Sequence, residues 1–325
     1  MIPISILDLA TIGEDKTVSD ALNMARTTAV EAEKHNYKRY WLAEHHGMKS
    51  VASSATAVLL ANIGAATKSI RIGSGGVMLP NHAPLIIAEQ FGTLAELYGD
   101  RIDLGLGRAP GTDMQTLMAL RRQGGSGADQ YPQNIRELQS YLGPQAQPVL
   151  AVPGQDTNIP LWLLGSSLYS AQLAAEFGLP YAFASHFAPD QLIQALESYR
   201  GNFKATTDNP KPYAMAGVMA VLADTEEEAT YLYTSVQQKF LQMRTSANTP
   251  FPKPVDKIHW SIADMYNVEH VLQYALVGTK ESIKAKLTDF IEKTGIDELI
   301  VSFPIHDSDA RLKSLRLMAE LRDSM

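Results

Sequence analysis

The sequence predicts a (β/α)8 TIM barrel that fills residues 1–325 as a single domain. Three observations carry that prediction. Eight short apolar runs are each followed by a segment of helical periodicity, and no low-complexity linker divides the chain. The first strand-to-helix turn, Ala10, Thr11, Ile12 and Gly13, lacks the G-x-G-x-x-G fingerprint, which removes the main support for a doubly wound dinucleotide fold with a second domain.

Residues 4–9 alternate as a first strand, and residues 20–34 carry Ala21, Leu22, Met24, Ala25, Ala29 and Ala32 between charges, as a helix does. Residues 37–43 make the second strand, and residues 53–66 the second helix, with Ser53 as a candidate cap. A strand over 70–79 and a helix over 84–97 follow, the latter opened by Pro84, which suits a first helical turn. The fourth strand spans 102–107. After it the pattern loosens into an insertion, with helices over 111–120 and 133–142 around a break at Gly124, Gly125, Ser126 and Gly127. Strands at 161–164, 181–184, 215–222 and 298–303 complete the count, each with its helix: 169–177, 191–203, 226–244 and 309–322. A further helix is expected over 280–293. The stretch near 245–270 holds Pro250, Pro252 and Pro254 and predicts an irregular surface insertion.

Composition sets outer bounds. Hydrophobic residues are 45% and charged ones 19%, an ordinary globular balance with enough apolar material for a large core. The net charge of −7 comes without acidic or basic blocks, so a nucleic-acid partner is not expected. There is no cysteine, which excludes disulfides, thiolate nucleophiles and thiolate-held metals. No leader-like segment and no apolar run of membrane-spanning length is present, so the expectation is a cytoplasmic protein without a membrane partner.

In a barrel the strand ends line the catalytic mouth. Here they offer Asp8; Glu44, His45 and His46; Gly75 and Gly76; Arg108; Ser166 and Ser167; His186; and Phe303. Gly165, Ser166, Ser167 and Ser170 form a small-residue turn into a helix, where free N–H groups and hydroxyls suit a phosphate, although an ordinary serine cap has the same appearance. Arg108 favours the phosphate, since a guanidinium binds it through two hydrogen bonds. Gly75 and Gly76 either permit a bulge or leave room for a flat ring. Adjacent strand residues point to opposite faces, so His45 and His46 cannot easily share one ion, and no metal is expected. The same alternation lets one histidine face the mouth, and we assign that place to His45. Leu79, Phe187 and Phe303 are the apolar candidates for a partly hydrophobic substrate site.

Together, Trp41 to His46, Gly73 to Pro80, Ala88-Glu89-Gln90, Gly99 to Arg108 and Ala174 to Pro180 resemble the bacterial luciferase-like flavin monooxygenases, in the right order through the first two hundred residues. The resemblance implies a barrel that binds reduced FMN, supplied by a separate flavin reductase, and uses molecular oxygen. It implies that Arg108 with Ser166, Ser167 and Ser170 holds the phosphate, that Glu44 sits close to the flavin, and that His45 serves the acid–base steps. It places a non-prolyl cis peptide at Gly75-Gly76 beside the ring. It also implies a homodimer, for which the helix over 84–97 is the candidate interface. Two departures are visible: Ser166 stands where the light-emitting subunit has glutamate, and Gly107 where it has cysteine. Aldehyde oxidation with light emission is therefore not carried over. A deazaflavin with hydride transfer, or flavin binding without turnover, are the alternatives on the same fold.

Overall fold

A computed structural model describes residues 2–109, 113–120, 127–145, 148–245 and 247–325. Eight parallel strands close a barrel: β1 (Ile4–Asp8), β2 (Arg39–Leu42), β3 (Arg71–Met78), β4 (Ile102–Gly107), β5 (Leu161–Gly165), β6 (Tyr181–Phe183), β7 (Ala214–Leu222) and, last in the chain, β9 (Glu298–Ser302). The ring shuts where β6 pairs with β7, β7 with β9, and β9 with β1. These are the runs expected from sequence. Strand β8 (Leu276–Gly278) was not expected; it lies outside the ring and pairs with Ala220–Leu222 of β7, and three residues are too few to display an alternation.

Helices α1 (Val18–Lys34), α2 (Thr56–Ala66) and α3 (Pro84–Tyr98) follow the first three strands, and α4 (Met114–Leu120) and α5 (Tyr131–Leu142) fill the excursion after β4. Helices α6 (Leu168–Phe177), α7 (Leu192–Gly201), α8 (Glu226–Arg244), α9 (Ile262–Val271), α10 (Lys280–Thr294) and α11 (Ser308–Ser324) complete the outer layer. The break expected at Gly124, Gly125 and Ser126 lies outside the described residues. Among the described residues no helix is long and apolar enough to cross a membrane.

Alternation along the strands sorts the side chains. Tyr40, Leu42, Leu299 and Val301 point outward into the layer between sheet and helices, while Leu7, Trp41, Trp162, Met215 and Ile300 fill the barrel interior. Trp41 and Trp162 meet edge to face with centroids 5.1 Å apart. Below them, at the N-terminal end of the strands, Arg39 donates to Asp103 and to Glu298, each at 2.8 Å. The hydroxyl of Ser5 and the ammonium of Lys38 also reach Glu298, and Trp41 Nε1 donates to Asp103 at 3.1 Å. Arg71 adds two more bonds to Asp103. Charges are buried here because each has several partners.

Four expectations are corrected. Leu79 and Phe303 do not line the mouth; both are buried in the layer between sheet and helices, Phe303 because it shares the outward parity of Leu299 and Val301. Asp8 also points outward, where it accepts from Arg311 of α11, from Tyr40 and from Ala10 N. Ser53 does not cap α2: the cap position is Ala55, and the Ser53 hydroxyl donates instead to Leu9 O at 3.0 Å. The insertion near 245–270 is not wholly irregular or superficial, since α9 occupies its end and Phe251, 5% exposed, packs with Ile305 and Val221 while pairing with Gly13.

Candidate active site

At the C-terminal end of the strands the inward positions turn small, with Ala43 above Trp41 and Gly217 above Met215. Glu44, His45 and His46 follow β2 directly. Glu44 is 2% exposed, and its Oε1 accepts from His46 Nε2 at 2.9 Å and from His82 Nε2 at 2.8 Å. Burial alone would raise its pKa; the hydrogen bonds from His46 and His82 outweigh that and hold the carboxyl below its usual value. The three ligand atoms lie within 4.8 Å of one another, a spacing a metal ion could use. Direct hydrogen bonds already satisfy the carboxylate, and we read the trio as a brace. Only His46 of the adjacent pair joins it, as strand alternation requires.

His45 is turned away from that brace. Its backbone N–H donates to Ser53 O at 3.2 Å, while its ring Nδ1 is buried without a partner. Burial pushes the imidazole pKa down, with the Glu44 charge opposing and the His46 charge assisting. His186, after β6, also buries an Nδ1 that has no partner. Its ring lies across β7 so closely that a Cβ on Gly217 would stand 2.4 Å from Nδ1, and Phe187 meets it edge-on at 4.9 Å. Burial, and then the charge of His45, lower the His186 pKa to about 4. Both imidazoles are therefore neutral near pH 7. Ser302, at the end of β9, buries a third unpartnered polar atom, Oγ.

The Gly75-Gly76 peptide is cis, as the resemblance implied. The two glycines sit at a bulge. The β3–β4 register shifts between Ser74 and Val77, and the neighbours are protein: a Cβ on Gly75 would meet Leu7 Cδ1 at 2.6 Å, and one on Gly76 would meet Gly105 O at 2.7 Å. Gly105 is required in turn by Ser74 O at 2.2 Å.

Arg108 stands exposed at the end of β4 with its guanidinium 4.3 Å over the ring of Tyr169, in the first turn of α6. Among the described residues it forms no salt bridge. Ser167 occupies the N-cap of α6 but makes no side-chain capping bond. The hydroxyl of Ser170 is engaged within the protein, donating to Ser167 O at 2.8 Å and sharing a bond with Tyr181 Oη at 3.0 Å. Leu168 N–H donates to Gln191 Oε1 at 3.2 Å. The N–H groups of Tyr169 and Ser170 have no intrahelical acceptor, so with Arg108, Ser166 and Ser167 nearby they are groups that could hold an anion. Gly165 is there because a Cβ would collide with Ser170 Oγ at 2.3 Å.

An exposed arginine beside the N-terminus of α6, and the imidazoles that follow β2 and β6, thus stand at the same end of the barrel. A family model described as luciferase-like monooxygenase matches residues 2–298. The chain belongs to the luciferase-like monooxygenase family. A luciferase-like monooxygenase of Escherichia coli (strain K12) is 47% identical over 331 residues, covering 100% of this chain and 98% of the relative. The N-acetyl-S-alkylcysteine monooxygenase of Bacillus subtilis (strain 168) is 30% identical over 98% of both chains. The crystal structure of apo-MsnO8 superposes with a TM-score of 0.93 at 34% identity, covering 100% of this chain and 99% of that one.

His82 and Ser302 are the site residues that sequence reasoning on this luciferase-like chain passes over. Ser302 lay in plain view, on an inward position at a strand end. His82 had a weaker signal, a polar residue in the loop between a glycine-rich strand end and a proline-opened helix.

Proposed function

We propose that this chain is a flavin-dependent monooxygenase that takes reduced FMN, delivered by a separate reductase, and molecular oxygen to a small, partly hydrophobic substrate. The observation that carries this reading is the pairing of an arginine that forms no salt bridge among the described residues, beside a helix N-terminus, with buried, unpartnered imidazole nitrogens at the same end of the barrel. A phosphate fits the first. The heteroatom edge of a ring system fits the second, because a buried Nδ1 without a partner is costly until a ligand supplies one. Bound reduced FMN supplies the electrons that activate oxygen.

The protein's own residues then divide the work. Arg108, Ser166, Ser167 and the first N–H groups of α6 hold the phosphate. His45, neutral and sheltered, accepts a proton at Nδ1 and returns it, since an imidazole is effective in both directions near neutral pH. Glu44 fixes His46 and His82 and thereby the chain on either side of His45. Phe187, 48% exposed, offers an apolar wall to the substrate. Other solved barrels of this fold include one in complex with FMN and one dependent on F420. A homodimer through α3, whose Ile86 and Leu97 are exposed, completes the proposal.

The test is a fluorescence titration of the protein with oxidised and reduced FMN, followed by reductase-coupled turnover on a panel of small thioethers, ketones and aldehydes. We expect Arg108→Ala to weaken FMN binding at least about tenfold, as loss of a charge-assisted bidentate contact does. His45→Ala should keep FMN affinity and lose substrate oxidation. Normal turnover by His45→Ala would overturn its assignment, and binding of F420 in place of FMN would move the reading to hydride transfer.

A further inference from the structure

We infer that Asn248, in the insertion between α8 and α9, is a positioning residue of the active site. It rests on the reading above that His45 acts in the reaction. Asn248 Oδ1 accepts from Lys49 N at 2.7 Å, and its Nδ2 donates to Gly47 O at 2.7 Å. One side-chain amide therefore grips the backbone of the β2 loop two and four residues beyond His45. Its geometry is that of a neighbouring strand, a donor and an acceptor presented together to a complementary pair.

The amide can brace the loop because its own support is fixed. Lys239, buried in α8, donates to Thr249 O at 2.7 Å, and the Thr249 hydroxyl donates to Gln242 Oε1 at 2.7 Å. Two residues further on, Phe251 N donates to Ile12 O and Phe251 O accepts from Glu14 N, both at 2.8 Å. The β1 loop is in turn bound to the β2 loop through Ile12 N and Ser50 O at 2.9 Å. Insertion, β1 loop and β2 loop so form a hydrogen-bonded collar on one side of the mouth, and Asn248 closes it directly onto the histidine loop. The loop needs such a partner: Gly47 has a φ of +70°, and Gly47 and Lys49 are both exposed, so little packing holds them.

The test compares wild type, Asn248→Ala and Asn248→Asp. Amide hydrogen exchange at Lys49 should accelerate at least about tenfold in Asn248→Ala and be largely restored in Asn248→Asp, which keeps the acceptor. The His45 imidazole, followed by NMR without any cofactor, should titrate closer to an ordinary histidine in Asn248→Ala, because a loosened loop admits water beside it. Glu44, His46 and, from the β6 side, His186 are the titratable groups facing that ring, and all are unchanged in the three proteins. FMN affinity should stay within about twofold, since the proposed phosphate-binding groups follow β4 and open α6. Unchanged exchange at Lys49 together with an unchanged His45 titration overturns the inference. Failure of FMN to bind wild type would sink the proposed function and leave these two measurements readable.

Discussion

The two ends of the barrel bury polar groups in opposite ways. At the N-terminal end, Arg39, Asp103, Glu298, Ser5, Lys38 and Arg71 saturate one another, and each carboxylate collects several donors. At the C-terminal end, His45 Nδ1, His186 Nδ1 and Ser302 Oγ are buried with no partner. A buried polar atom left unsatisfied costs about 1–3 kcal/mol. The protein avoids that cost at one end and tolerates it at the other. The difference is what supports placing the proposed site at the C-terminal end: a saturated network has nothing left to offer a ligand, whereas an orphaned nitrogen or hydroxyl is an open valence held in place by the fold.

The sharpest way to break this comparison is at the saturated end. Asp103→Ala removes an acceptor of Arg39, Arg71 and Trp41 and leaves Glu298 as the one carboxylate facing Arg39 and Lys38 in that network. Breaking a buried pair from one side costs about 3–5 kcal/mol. Urea unfolding should show a loss of that size, while FMN affinity of the folded fraction stays at the wild-type value. A stable variant with lost FMN binding would mean that the lower network is part of the site.

Much of this contrast was legible in the sequence, and the illegible part has a physical pattern. The eight barrel strands could be read because parallel strands covered on both faces make dense apolar runs. The cis peptide came with the resemblance, while His45, His186, Arg108 and the serine turn could be picked out as polar residues at strand ends. Parity decided what sequence could not. Asp8, Leu79 and Phe303 sat at strand ends and read as mouth residues, but their side chains turn outward, and Asp8 answers Arg311 more than three hundred positions away. His82 and Asn248 were hidden for the same reason: their partners are Glu44 and the 47–49 backbone, contacts that only the closed barrel creates. That the glycines of β3 and β4 let the two backbones approach closely was likewise visible only once the strands were paired.

The second test uses pH. A histidine held at about 4 when folded binds fewer protons than the unfolded chain, whose imidazole titrates at its ordinary 6.5. Stability contributed this way is present above 6.5, falls as pH drops through the window between the two values, and levels off below about 4. For His186 alone the loss between pH 8 and pH 5 is up to about 2 kcal/mol. Urea unfolding of wild type and His186→Asn at both pH values isolates it, because the carboxylates titrate alike in both proteins. An equal pH dependence in the two would show that His186 is solvated and already partnered by water.

The smallest effect is the most discriminating. If Ser302 Oγ is an open valence and not a structural bond, then Ser302→Ala removes an unsatisfied hydroxyl and should stabilise the fold by about 1 kcal/mol, the low end of the cost of such an atom. The analogous loss of a hydroxyl at the other end, Ser5→Ala, deprives Glu298 of a donor in a buried charged network and should cost about 1.5–3 kcal/mol. Both are serine-to-alanine changes on inward positions of neighbouring strands, so side-chain volume and strand propensity cancel between them. What remains is whether the hydroxyl had a partner. Equal losses for the two variants would mean that the mouth is as saturated as the base and that its orphaned atoms have partners of their own.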